Sequence, residues 1–327
     1  MNINESMLLS KTPLRISFAG GGSDYFNPNS DLPGKVIVST INKYMYVCLN
    51  KKYNSEIRAA YSLTENVKNV HKLNHDIIRE ALKLHNIING VEITTLADIP
   101  SSGSGLASSS ALSVGLSNVI RKSKNLKISK TLLASEACKI EIEKCRKPIG
   151  MQDQYSTAFG GLNKIEFFKN KRIKVSKINI KCDRINLFKK SLLLFYTGIN
   201  RKADKILHKI RKKGTQFVNH DRLHHLATNF EKELKNGDIT NLGNILHEGW
   251  LLKRGLDKSV SSLSLDQIYN TALNAGALGG KILGAGGGGF FLFIANPKDH
   301  KNIKNRLKKL KFINFELTED GSKVFEV

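Results

Sequence analysis

The stretch Pro100-Ser-Ser-Gly-Ser-Gly-Leu-Ala-Ser-Ser-Ser-Ala111 is where the reading of this chain turns. Gly103 and Gly105 stand two apart and carry no Cβ, so the backbone can turn tightly there and come close to a ligand. Three serines follow, Ser108, Ser109 and Ser110, and then an apolar run, Ala111 to Leu116, spaced to bury one helical face. A glycine turn feeding a helix start leaves several backbone N–H groups unpaired and pointing at one spot. With the helix dipole they make an anion site, and phosphate is the usual anion. Serine hydroxyls there add hydrogen bonds or ligate magnesium. The competing reading is a serine-rich loop with an ordinary N-cap. The third glycine of a dinucleotide-binding fingerprint is missing, and so is the Gly-Lys-Ser/Thr close of a Walker A loop.

The 327 residues, 40% of them hydrophobic, suffice for two domains flanking a cleft. Charges interrupt the apolar runs well short of a bilayer span. The first ten residues lack the positive start and apolar block of a signal peptide. Cys48, Cys138, Cys145 and Cys182 are scattered with no Cys-x-x-Cys, which predicts free thiols in a reduced, cytoplasmic setting, and the interrupted apolar runs predict no membrane partner. The net charge of +24 suits a nucleic acid, an acidic surface or small polyanions. Its two densest clusters, Lys205 to Lys213 and Lys298 to Lys311, both carry helical apolar spacing (Ile206, Leu207, Ile210; Ile303, Leu307, Leu310). They read as solvated lysine faces on surface helices, and no nucleic-acid motif with interleaved aromatics accompanies them.

Residues 8–19 read as a strand ending at Ala19-Gly-Gly-Gly-Ser-Asp-Tyr25, followed by strands over 36–50 and 57–61. Helical period covers 71–85, a strand covers 91–96, and helices are expected over 109–122 and 129–144, the latter capped by Ser129. Pro148-Ile-Gly-Met-Gln-Asp-Gln-Tyr155 precedes a strand over 162–168, and another strand lies over 192–196. Residues 200–274 are mostly helical, and a glycine run over 284–289 leads into a strand over 290–295, a basic helix and a last strand near 312–317. The pattern predicts an α+β protein in two lobes, residues 1–188 and 189–327.

Three motifs in this order resemble the GHMP kinase superfamily. Pro13-Leu-Arg-Ile-Ser-Phe-Ala-Gly-Gly-Gly-Ser-Asp-Tyr25 is similar to its N-terminal sugar motif, the Pro100–Ala111 loop to its phosphate loop, and Lys281–Gly289 to its C-terminal glycine motif. The resemblance implies a two-lobed fold, an N-terminal lobe with a left-handed β-α-β crossover and a ferredoxin-like C-terminal lobe, with ATP between them. Gly103, Ser104, Gly105, Leu106, Ala107, Ser108, Ser109 and Ser110 would hold its phosphates.

By the same resemblance Asp153 is the catalytic base, and Arg15 is the basic residue beside it, offsetting charge in the transition state. Ser109 and Glu141 match the Mg2+ ligands, with Glu143 as the nearby alternative. Arg15, Gly21, Gly22, Ser23, Asp24, Asp153, Gly286 and Gly287 would meet the acceptor. Galactokinase has Glu and His where this chain has Gly21 and Gly22, which puts galactose in doubt and opens room for a bulkier sugar. Gly-Gly-Gly-Ser-Asp looks more like the branch of D-glycero-D-manno-heptose 7-phosphate kinases, with L-fucokinase close by.

The resemblance thus implies an ATP- and Mg2+-dependent kinase of a sugar C1 hydroxyl, with a heptose 7-phosphate the first choice and L-fucose or another hexose the alternative. Lys35, Lys43 and Arg172 are the cations considered for a second phosphate, Ser101 and Ser102 are left without an assigned role, and a homodimer is compatible. A basic RNA-binding protein on the same lobes is the rival of another class.

Overall fold

A computed structural model describes residues 6–27, 29–100, 103–199 and 203–327. Ser101 and Ser102 fall outside the described residues. Chain order runs Leu8–Ala19 (β1), Gly34–Lys51 (β2), Ile57–Ala60 (β3), Thr64–Val67 (β4), Asp76–Leu84 (α1), Val91–Ala97 (β5), Ser108–Ser123 (α2), Lys130–Cys138 (α3), Gln152–Phe159 (α4), Leu162–Phe167 (β6) and Ile173–Lys177 (β7). It continues through Cys182–Lys190 (α5), Leu192–Tyr196 (β8), Ala203–Lys212 (α6), His220–Asn236 (α7), Ile239–Arg254 (α8), Leu263–Asn274 (α9), Ala277–Ile282 (β9) and Phe290–Ala295 (β10). His300–Arg306 (α10), Lys311–Phe312 (β11), Leu317–Thr318 (β12) and Lys323–Glu326 (β13) complete it.

Two sheets organise the molecule. The first runs β13-β1-β2-β5-β3-β4, with β12 and β6 on β2 and β7 on β6; the second runs β11-β8-β10-β9. Within the second sheet the strands fall in the order fourth, first, third, second, joined by helices, as in a ferredoxin-like lobe. β3 lies parallel to β5 across α1, the one parallel pairing among the described strands.

Period-two alternation explains how the lobes share one interior. On β10, Phe290, Leu292 and Ile294 join the core of the first lobe, while Phe291, Phe293 and Ala295 join that of the second. β8 splits the same way, Leu192 and Leu194 against Leu193 and Phe195. Both strands are therefore apolar throughout, as strands buried on both faces must be. A third cluster, including Val36, Val114, Leu133 and Phe167, seats α2, α3 and α4 on the first sheet.

Three differences from the sequence reading have physical causes. The boundary at 188/189 does not separate the sheets cleanly, because β12 and β13 return to pair with β2 and β1. The helix over 129–144 is regular only to Cys138. Ser129 caps it by accepting from the Leu132 N–H, and a π-helical turn, Lys139–Lys144, then widens its last part. Asp153 sits in the first turn of a short helix, α4, an element the sequence pattern does not announce. No helix among the described residues is long and apolar enough to cross a membrane. The basic helices α6 and α10 bury Ile206, Ile210 and Ile303 on one side.

Candidate active site

The three motifs converge on one cavity of about 230 Å³ between the lobes. Its floor is the glycine–serine turn. Gly103 and Gly105 are left-handed (φ 70° and 77°), and Ala107 follows at φ 66° as the N-cap of α2 with no side-chain cap bond. The first N–H groups of α2 thus lack a side-chain acceptor and remain available to a bound anion. A non-glycine residue at positive φ costs about 1–2 kcal/mol, so Ala107 is held there by its surroundings. Ser104 Oγ accepts from the Leu106 N–H at 3.3 Å and pairs with Ser108 Oγ at 2.9 Å, which fixes the turn from inside.

The third motif lies directly against this turn, backbone on backbone. A Cβ on Gly105 would stand 2.4 Å from the Leu283 carbonyl oxygen, and one on Gly289 would stand 2.6 Å from that of Ser104. Only glycine permits the approach on either side.

β1 delivers Arg15, which is 3% exposed. Its Nε and Nη2 lie 2.8 and 2.7 Å from Oδ1 of Asp153, and its Nη1 donates to the Gly105 carbonyl at 2.8 Å. One guanidinium therefore ties the carboxylate of α4 to the phosphate turn. Past the end of β1, Asp24 is buried and accepts from the N–H groups of Gly22 (3.1 Å) and Gln152 (3.3 Å). Burial and the neighbouring charge of Asp153 push its pKa up, against its own backbone N–H and the hydrogen bonds of Gln152.

The π-helical turn carries Glu141 inward to zero exposure, while Glu143 faces solvent. Gln154 donates to Glu141 Oε1 at 2.8 Å, and Oε2 is buried without a hydrogen-bond partner among the described residues. Burial pushes this carboxyl up to about 7, with Lys147 and the Ser110 hydroxyl pulling the other way. An orphaned carboxylate oxygen beside serine hydroxyls and a phosphate site is a donor set that fits Mg2+, which prefers oxygen ligands and keeps waters. Among the described residues no group of three or more His, Cys, Asp or Glu could hold a metal alone, so phosphate and water would complete the shell.

Several expected site residues stand elsewhere. Ser23 has zero exposure and does not line the cavity; its Oγ donates to the Gly20 and Lys35 carbonyls and accepts from the Lys35 N–H. Leu106 is buried, with its carbonyl accepting from the Arg15 N–H at 3.1 Å. Gly286 and Gly287 turn away onto Val260, whose carbonyl accepts from the Gly287 N–H at 2.6 Å, and Gly284 and Ala285 line the cavity in their place. Ser109 lies exposed at the cavity rim, whereas Ser110 is the hydroxyl facing Glu141.

None of Lys35, Lys43 and Arg172 is among the cavity-lining residues. Lys35 is paired with Glu231 (3.4 Å) and Thr228 (3.0 Å), and Arg172 covers the Phe168 ring. Four cavity cations were missed: Lys147, Arg211, Lys253 and Lys281. Only Lys281 carried a signal, since it opens the third glycine motif.

A two-lobed α+β protein with a carboxylate–arginine pair beside a glycine–serine turn that opens a helix has the features a phosphotransferase needs. The family model described as GHMP kinases N terminal domain matches residues 66–161, and that described as GHMP kinases C terminal matches residues 230–312. A D-glycero-alpha-D-manno-heptose 7-phosphate kinase from Campylobacter jejuni is 31% identical over 97% of this chain and 98% of its own. A galactokinase from Pyrococcus furiosus is 25% identical over 91% of this chain and 92% of its own. Among solved structures, a D-glycero-D-manno-heptose 1-phosphate kinase from Bacteroides thetaiotaomicron superposes with a TM-score of 0.77 at 26% identity, covering 98% and 99% of the two chains. The chain belongs to the GHMP kinase superfamily and has its α+β fold with two sheets.

Proposed function

We propose that this GHMP sugar kinase transfers the γ-phosphoryl group of ATP to the anomeric C1 hydroxyl of a heptose 7-phosphate, giving the 1,7-bisphosphate. The observation that carries the reaction type is the Arg15–Asp153 pair, fixed by one guanidinium to the carbonyl of Gly105 in the phosphate turn. The Campylobacter jejuni relative supports the acceptor, as do Gly21 and Gly22, which leave the wall beside Asp24 without side chains.

In this reading the acceptor lies over Gly21 and Gly22, with Asp24 accepting from a sugar hydroxyl. The C1 oxygen attacks the γ-phosphorus, the bond to the β–γ bridging oxygen breaks, and ADP leaves. The hydroxyl proton passes to Asp153 and from there to solvent. Arg15 orients that carboxylate and offsets the negative charge spreading over the transferred group. Mg2+, held by Glu141 and the Ser110 hydroxyl that faces it, would neutralise charge on the phosphates. The setting is cytoplasmic, where ATP is supplied and the four cysteines, all free, stay reduced.

The test is ATP turnover with a panel of heptose 7-phosphate, unphosphorylated heptose, L-fucose and galactose, compared by kcat/KM. The heptose 7-phosphate is expected to lead by at least about tenfold, 1.4 kcal/mol of discrimination. A lead for an unphosphorylated hexose overturns the acceptor while leaving the kinase.

A further inference from the structure

We propose that Arg211, on the cavity face of α6, is the seat of the acceptor's second phosphate; this deepens, and rests on, the sugar-phosphate reading above. Helix α6 presents one stripe to the cavity, Ala203, Asp204, Leu207, Ile210 and Arg211, at the spacing of a single helical face. Asp204 and Arg211 lie seven residues apart, roughly 10 Å along the axis, so the stripe is acidic at one end and basic at the other.

The other cavity cations have duties elsewhere. Arg15 is bound to Asp153, and Lys281 donates to the Phe18 carbonyl at 3.1 Å. Lys253 donates to the carbonyls of Ile282 and Gly284 beside the third glycine motif, and Lys147 acts on Glu141 at the metal end. Among the described cavity cations Arg211 is the one that lies over the ring of Tyr25. Its guanidinium carbon lies 5.4 Å from the centre of the Tyr25 ring, and Tyr25 directly follows Asp24. No carboxylate among the described residues pairs with Arg211; its contact is with the Tyr25 ring.

The geometry suits a phosphomonoester. Guanidinium presents a planar fork that meets two phosphate oxygens at once, and it is weakly enough hydrated to stack on an aromatic ring meanwhile. Tyr25 is itself anchored, its hydroxyl lying 3.3 Å from the Pro148 carbonyl and its ring edge-on to Phe217. A sugar with C1 toward Asp153 and its body over Gly21 and Gly22 would send its far end toward this arginine.

The experiment compares wild type, Arg211→Ala and Arg211→Lys at saturating ATP and Mg2+. It measures kcat/KM for heptose 7-phosphate and for unphosphorylated heptose. In Arg211→Ala the preference for the phosphorylated acceptor is expected to collapse by at least 30-fold, through KM rather than kcat. Arg211→Lys should restore part of it, because charge survives while the fork is lost. Inorganic phosphate should compete with the phosphorylated acceptor in wild type and lose that effect in Arg211→Ala. An equal loss with both acceptors, a matching rise in the KM for ATP, or an undiminished preference overturns the assignment to Arg211. A wild-type enzyme without preference for the phosphorylated acceptor overturns the acceptor reading itself.

Discussion

Arg15 grips Asp153 by a single oxygen: its Nε and Nη2 both reach Oδ1, at 2.8 and 2.7 Å. Oδ2 is left without a hydrogen-bond partner among the described residues, on a side chain that keeps 23% exposure at the cavity wall. One oxygen is fixed and the other can take a proton, which is what a general base positioned by its neighbour requires. Asp153→Asn should keep the shape and remove the base, lowering kcat by about 10²–10⁴-fold. ATP affinity, read by titration calorimetry, should move by less than threefold. A variant with near-wild-type turnover would remove Asp153 from the chemistry.

Glu141 is costly to bury and has one oxygen without a hydrogen-bond partner among the described residues. Such a group destabilises the fold unless a ligand answers it. Glu141→Gln should therefore raise the Mg2+ concentration needed for half-maximal activity by tenfold or more. The same change should raise Tm without metal by about 2 °C or more. Gln154 can still hydrogen-bond the new amide, so folding is retained. A lower Tm with unchanged Mg2+ dependence would make Glu141 a structural residue.

The joint between the second and third motifs is steric. Gly105→Ala places a methyl 2.4 Å from the Leu283 carbonyl oxygen at a φ of 77°, where a Cβ is already disfavoured. The expected cost is about 2–4 kcal/mol in urea melts, with kcat falling because the turn and Arg15 share the Gly105 carbonyl. Gly289→Ala should behave alike from the other side. If either variant melts like wild type, the backbone contact is not what holds the turn.

How much of this was legible depends on whether a residue's role is set locally. The turn at 103–110 announces itself because its geometry demands particular residues at particular spacings, whereas Asp153 is reached only through the family resemblance of its Asp-Gln segment. Glu141 and Glu143 could not be ranked from Ile-Glu-Ile-Glu, because the choice is made by the π-helical turn, a tertiary accommodation with no local pattern. β12 is two half-buried residues and β13 four mostly exposed ones, too short or too polar to carry an alternation that can be read. Ser23 looked functional because it sits in the sugar motif, yet its hydroxyl closes a backbone turn against Lys35. Arg211 was hidden in a helix that also carries Lys205, His208, Lys209 and Lys212, with no local pattern to single it out.

Lys281 makes the last case, one in which pH isolates a single side chain. It is 7% exposed on β9 and donates to the Phe18 carbonyl at 3.1 Å, and burial first, then the charge of Arg15, push it down to about 8. Its ordinary value is 10.5, so between pH 8 and 10.5 the unfolded chain binds more protons than the folded one. Stability from this group therefore rises with pH across that window, and the full penalty is present below pH 8. At pH 7 the fold carries a buried charge that a triphosphate in the adjoining cavity would answer. Lys281→Met removes the penalty and loses the hydrogen bond, the second effect being the same at every pH. The stability difference between Lys281→Met and wild type should shift against the variant by up to about 3 kcal/mol from pH 7.5 to 10.5. Urea midpoints of both proteins at those two pH values measure it, and a difference that stays constant would mean Lys281 titrates as an ordinary exposed lysine.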